Sequence, residues 1–276
     1  MKNIKSKIVR ALVYFCAFLT ISLLVCMLAY ILIKGFPYLN KDLFSLKYTS
    51  ENCSVIPALV NTVTMTVISL LIACPLGIFS AIYLVEYAKK GNKFVKVVRL
   101  TTETLAGIPS IIYGLFGMLL FVGTLHWGYS LMAGSATVAI MILPTIMRTT
   151  EEALLSVPDS YREGSFGLGA GKLRTVFKIV LPPAMPGILN GIILATGRVV
   201  GETAALIYTA GTVAQIPASV FGSGRTLAVH MYVLSSEGLH TNQAFATAVV
   251  LLILVIIINL LSSFFAKKIG GQKNGK

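Results

Sequence analysis

The sequence predicts an all-α integral membrane protein of six transmembrane helices, with both termini in the cytoplasm. Three observations predict it. Hydrophobic residues make up 56% of the 276 residues and charged residues 12%, against about 25% charge in a soluble domain. The apolar residues gather in several runs of roughly 20, enough for a helix to cross the hydrocarbon core. The basic residues gather in alternate connections between those runs. A transmembrane barrel would show short alternating segments instead.

The elements follow in chain order. MKNIKSKIVR is basic and leads into an apolar run from Ala11 to Ile33. The run is too long for a signal-peptide core and no clean cleavage site closes it, so it reads as an uncleaved first span, 11–33. The second span, 57–85, is long and holds Pro75 and Gly77, which allow a kink or a tilt. The third, 104–124, carries Pro109 and the fourth, 131–147, carries Pro144. Neighbouring groups can satisfy the carbonyls that such prolines free. Trp127 and Tyr129, at the tight turn between these spans, read as interface anchors. The fifth and sixth spans are 184–209 and 244–266. The tail from Gly270 to Lys276 reads as disordered. The whole chain, 1–276, is a single membrane domain.

Orientation follows from Lys and Arg. The N-terminus, the connection after span two, the connection after span four and the C-terminus together hold eighteen of them, and the alternate connections hold four. The richer side is cytoplasmic. This placement also explains the net charge of +13. No basic face with interleaved aromatics is present, so a nucleic-acid partner is not expected. Residues 148–183 are then a cytoplasmic loop and 210–243 an extracytoplasmic one. Within the latter, TLAVHMYVLSSE (226–237) reads either as a short surface helix or as an ordered loop.

Other chemistry-bearing residues read as structural. Cys16, Cys26, Cys53 and Cys74 have no metal-ligand spacing and read as small buried residues. His126, His230 and His240 read as loop histidines. Glu86 and Glu103 flank a basic connection and read as solvated. No metal, cofactor, hydrolytic or redox site is expected, and the chain is not read as an enzyme.

The loop RTTEEALLSVPDSYREGSFGLGAGKLRTVFKIVLPPAMPG (148–187) is patterned like a folded knob. Pro158 ends one helix or starts the next. Ser160 and Glu163 have capping-box spacing, predicting a helix start at Ser160. Glycines at 164, 167, 169 and 171 allow a sharp turn. KLRTVFKIV reads as a short helix that Pro182 and Pro183 end before span five. GLGAGK lacks the earlier glycine and the following Ser or Thr of a phosphate-cradling loop, so this chain is not expected to bind ATP.

The same residues carry a family resemblance. Glu163, with Gly169 six positions later, Ile179 sixteen later and Leu181-Pro182 closing, resembles the EAA loop of ABC importer permeases. Gly164 and Ser165 stand where that loop has two alanines. The resemblance implies a type I importer fold and a coupling helix docked on an ATPase subunit. Glu163, Gly164, Ser165, Gly169, Ile179, Leu181 and Pro182 would lie at or near that contact.

ATGRVVGETAAL (195–206) places Arg198 and Glu202 inside an apolar span. Arg198 falls near mid-bilayer, with Glu202 one helical turn further on the same face. Two readings stay open: a fixed i,i+4 ion pair, or charges lining a substrate path. A guanidinium fork matches the oxygens of phosphate and related oxyanions. Gly197 and Gly201 flank the pair and leave room for a small ion or a facing helix.

GRVVGETAALIYTAG also resembles the phosphate permeases, near R-x-x-G-E-T-A-P-L. Ala205 stands in place of the proline, which leaves a local kink open. LAGIPSIIYGLFG (105–117) and residues 148–165 resemble the same family, nearer its PstA-type than its PstC-type subunit. The resemblance implies an importer of inorganic phosphate in the bacterial cytoplasmic membrane. It would comprise this chain, a PstC-type permease, two ATPase subunits that bind ATP and magnesium, and an extracytoplasmic binding protein. Arg198, Glu202 and Thr203 would line the path. The alternatives are an ABC permease for molybdate or sulfate, and an ATP-independent anion carrier or channel.

Overall fold

The computed structural model describes the backbone of residues 2–89 and 91–270, and side chains from 6 to 264 within them. The tail expected to be disordered lies outside these residues beyond Gly270. Among the described residues the chain is helical with no strand. Five helices are long and apolar enough to cross a membrane, or six if one bent pair is counted as a span.

The first helix, α1 (Lys2–Gly35), has no polar stripe and is exposed along most of its length. It packs on the last helix, α11 (Thr241–Gly270), with Gly35 against Phe245 and Val249. Its Cys16 and Cys26 are exposed, so the expectation of burial holds for Cys53 and not for them.

α2 (Ile56–Ile82) starts on Pro57, where a missing N–H is harmless, and runs through Pro75 into a π turn at Tyr83–Tyr87. It packs against α5 (Leu131–Leu155), the central helix, which Ser130 caps by accepting from Ala133 N at 3.2 Å. α5 also packs closely on α8 (Leu181–Val200). At Gly191 any side chain would collide with Thr149 Oγ1, so this contact requires glycine. Met65, Ile142, Ile146, Val199 and Leu206 form the shared core.

The expected third span is not one straight helix. α3 (Lys93–Ala106) and the segment beginning with α4 (Ser110–Gly117) and ending in a π turn at Met118–Thr124 meet at 103°. Pro109 disfavours helical backbone at the residue before it and supplies no N–H. Tyr113 bridges the break by donating from its hydroxyl to Leu105 O at 2.8 Å.

The loop helices also differ from expectation. α6 (Asp159–Gly167) starts one residue early, at Asp159, with Pro158 at its N-cap and no side-chain cap from Ser160. α7 (Lys172–Thr175) does not stop at Pro182. It continues through a π turn at Val176–Val180 into α8, one helix from Lys172 to Val200. The extra residue in each π-turn bond, and the position of Pro182 in the first turn of α8, absorb the missing proline N–H.

At the opposite end of the bundle, residues 227–237 form a helix, α10 (Leu227–Glu237), capped by Thr226 and ended by left-handed Gly238. His230 sits on it, fully buried, and is no loop histidine. Its Nε2 lies 3.2 Å from Cys53 O, which fixes that nitrogen as the donor. Trp127, half-buried, stacks on Phe121 at 5.1 Å and meets Phe221 edge-on.

Burial, chiefly, and the charge of Arg225 hold His230 down to about 3. An unfolded histidine titrates near about 6.5. Below that value the unfolded chain takes a proton that the folded chain refuses. Stability contributed by neutral His230 is therefore complete above about pH 6.5 and is lost progressively as pH falls toward about 3. Thermal unfolding across this range is expected to show less acid loss in His230→Phe than in the wild type.

Candidate functional site

Arg198 lies in the last turn of α8, half-buried. Its neighbours Ala195 and Val199 pack with Met141 and Ile142, halfway along α5. Among the described residues no carboxylate pairs with it, although three other arginines form ion pairs. Beside it, a side chain added at Gly197 would meet nothing within 4 Å. The helix surface is thus open next to Arg198, and no ion pair engages its guanidinium among the described residues.

Glu202 is not one turn further along the same face. The helix ends at Val200, Gly201 caps it, and the chain turns. Glu202 is 8% exposed, and its Oε1 accepts from Ala205 N at 3.0 Å. That bond starts the short α9 (Ala204–Ile207), which packs through Ala205 against Gly114 of α4. A fixed Arg198–Glu202 ion pair is thereby overturned. The alanine at 205 matters, because a proline there has no N–H to give. The chain breaks at Gly201 without it. Thr203, half-buried, donates to Gly201 O at 3.4 Å.

The loop residues form a second, separate site at the far end of α5. Glu163 and Gly164 are exposed on α6, and Ile179 is 38% exposed on the π turn. Leu181 and Pro182 are half-buried in the first turn of α8. Ser165 is buried, its hydroxyl 2.8 Å from that of Thr175, so the serine in an alanine position ties α6 to α7. Gly169 has φ +78°. Clefts of about 600 and 610 Å³ flank α6, the first reaching Glu163 and Phe166, the second Gly169 and Ile179. Leu168 at 91% and Leu173 at 67% exposure project from the same knob. Such an apolar surface on a folded loop suits a partner's groove. Gly169→Val forces a β-branched residue into left-handed backbone, at a cost of about 1–2 kcal/mol. Such a variant is expected to insert normally but retain less ATPase subunit on co-purification.

One residue pair was missed from sequence. Arg162 bonds Glu86 through Nη2 at 2.7 Å and Nε at 3.1 Å. It also donates to Leu154 O at 2.9 Å, Val157 O at 2.8 Å and Asp159 Oδ1 at 3.2 Å. The side chains are 14% and 7% exposed, so Glu86 is not solvated. One guanidinium thus joins the end of α2, the end of α5 and the start of α6. No local signal could have found a pair 76 positions apart.

Residues 73–271 match the model of the binding-protein-dependent transport system inner membrane component family. The chain belongs to this family. It is 33% identical to the probable ABC transporter permease YqgI of Bacillus subtilis, over 94% of each chain. It is 30% identical to the phosphate transport system permease PstA of Pasteurella multocida, over 96% of this chain and 95% of that one. It is 37% identical to PstA 1 of Mycobacterium tuberculosis H37Rv, over 74% and 66%. In fold it resembles a chain of a bacterial alginate ABC transporter, solved with an alginate-bound periplasmic protein, at TM-score 0.71, 18% identity and 96% coverage of both chains. A chain of the MetNI methionine transporter gives TM-score 0.62 at 23% identity, over 78% and 94%.

This permease has the type I ABC importer fold and is a multi-pass protein of the cytoplasmic membrane. Membership implies ATPase and substrate-binding protein partners. Among the described residues no cluster of His, Cys, Asp or Glu forms a metal site.

Proposed function

We propose that this permease is the PstA-type membrane subunit of an ATP-driven importer of inorganic phosphate. The observation that carries the reading is Arg198. A charged group deep in a membrane helix is costly unless it faces protein or water. Here Arg198 is half-buried, the helix surface beside it is open at Gly197, and no carboxylate pairs with it among the described residues. A free guanidinium fork at that depth suits a tetrahedral oxyanion. Several relatives at 30–37% identity bear the name of phosphate transport permeases, which supports phosphate within that class.

In this reading the basic end of the bundle, with α6 and both termini, is cytoplasmic. A PstC-type chain completes the path, and two ATPase subunits, which bind ATP and magnesium, grip the knob around Glu163 and Gly169. A phosphate-binding protein docks at the opposite face, near residues 210–243. When the ATPases close, α6 moves. Arg162 passes that motion to α2 and α5, and the α7–α8 helix carries it directly to Arg198. Glu202 stays committed to Ala205 N. Arg198 meets the passing anion, and weak binding permits release.

The test uses the isolated transporter with its partner subunits. Phosphate-loaded binding protein is expected to stimulate ATP hydrolysis, and sulfate or molybdate is not. Stimulation by sulfate or molybdate alone would overturn the phosphate assignment.

A further inference from the structure

α3 has a feature that the transport path does not use. It meets the α4 segment at 103°, so it crosses the direction of that span instead of continuing it. Helical periodicity divides its surface into three faces. Val95, 8% exposed, and Val98 turn inward against Leu84, Leu143 and Met147. Arg99, Lys96 and Glu103 occupy a polar face, where Arg99 pairs with Glu151 of α5. Phe94, Val97 and Leu100 occupy the third face, exposed at 60%, 60% and 64%. Lys89 and Lys93 are exposed at its start. Asn92 caps the helix by accepting from Phe94 N at 2.9 Å, so the charged end is fixed in place.

We propose that α3 is an interfacial helix that binds anionic phospholipid. Phe94, Val97 and Leu100 enter the boundary between headgroups and acyl chains, as the apolar face of an in-plane amphipathic helix does. Lys93, between Val97 and Leu100 on that face, and Lys96, at its edge with the polar face, take the negatively charged headgroups. A partner protein is the weaker occupant, because an apolar strip edged by lysine and lying across a span matches a bilayer surface. Lipid held there would brace the end of α2, where Leu84 meets Val95, beside Glu86. The inference rests on the membrane fold and not on the identity of the transported ion.

The experiment places the photo-crosslinker benzoyl-phenylalanine at position 97. The whole transporter, with its partner subunits, is held in bilayers of phosphatidylglycerol and phosphatidylcholine at equal mole fraction. After irradiation, the mass of this chain identifies what was captured. The expected result is phospholipid adducts, with phosphatidylglycerol over-represented at least twofold. Lys93→Gln with Lys96→Gln is expected to return the adducts to equal proportions. Both lysines are exposed, so these variants should fold. Adducts to a partner polypeptide, adducts in equal proportions in the wild type, or unmodified chain alone would each overturn the proposal.

Discussion

Glu86→Gln is expected to uncouple the transporter. Uptake falls by at least tenfold while the chain still inserts and ATP hydrolysis loses its dependence on substrate. The reason is the burial of the Glu86–Arg162 pair, at 7% and 14% side-chain exposure. Breaking a buried pair by removing one charge costs about 3–5 kcal/mol when the other charge is left alone, and less here because the exposed Asp159 still accepts from Arg162. Here the stranded group is the guanidinium that also holds the Leu154 and Val157 carbonyls. The cost therefore falls on the junction of α2, α5 and α6. Arg162→Lys is expected to be nearly as damaging, since one ammonium cannot reproduce a planar fork spread over four residues. The exchange Glu86→Arg with Arg162→Glu should not rescue, because a carboxylate at 162 would face two carbonyl oxygens. The check is uptake and ATP hydrolysis measured together in one preparation. Uptake and hydrolysis that remain linked in Glu86→Gln would show that the pair has no coupling role.

Arg198→Gln is expected to fail differently. A hydrogen bond to a charged group contributes about 1.5–3 kcal/mol, so kcat/KM for uptake should fall about ten- to a hundredfold. ATPase subunits should still co-purify, because the docking knob lies at the end of α5, away from its midpoint where Arg198 packs. Arg198→Lys keeps the charge and loses the fork, and an intermediate rate is expected. The contrast separates the two sites: one variant loses the link between engine and path, the other loses the path.

Much of this was legible in the sequence, for definite reasons. Apolar runs marked the long helices α1, α2, α5, α8 and α11, since length and hydropathy suffice for that, but not the bend between α3 and α4. The spacing from Glu163 to Leu181-Pro182 placed the knob. What failed was reading local rules without tertiary context. Ser160 and Glu163 have capping-box spacing, yet the helix starts at Asp159 with the extended Pro158 as its N-cap. Pro182 looked like a stop, but a π turn before it carries the helix through. Arg198 and Glu202 are four apart, which left an ion pair open as one of two readings, but Gly201 breaks the helix between them. Glu86 and His230 looked like surface groups because their partners lie 76 and 177 positions away. Such partners appear when helices pack, and no window along the chain contains them.

The central claim is that Arg198 serves phosphate. The direct measurement is labelled-phosphate uptake in phosphate-starved cells that lack this chain and other phosphate importers. These cells retain the partner subunits and receive back either the wild type or Arg198→Gln, with insertion verified. Uptake is expected with the wild type, with at least a tenfold loss in Arg198→Gln. Equal uptake by the two would contradict it and leave Arg198 as a structural charge.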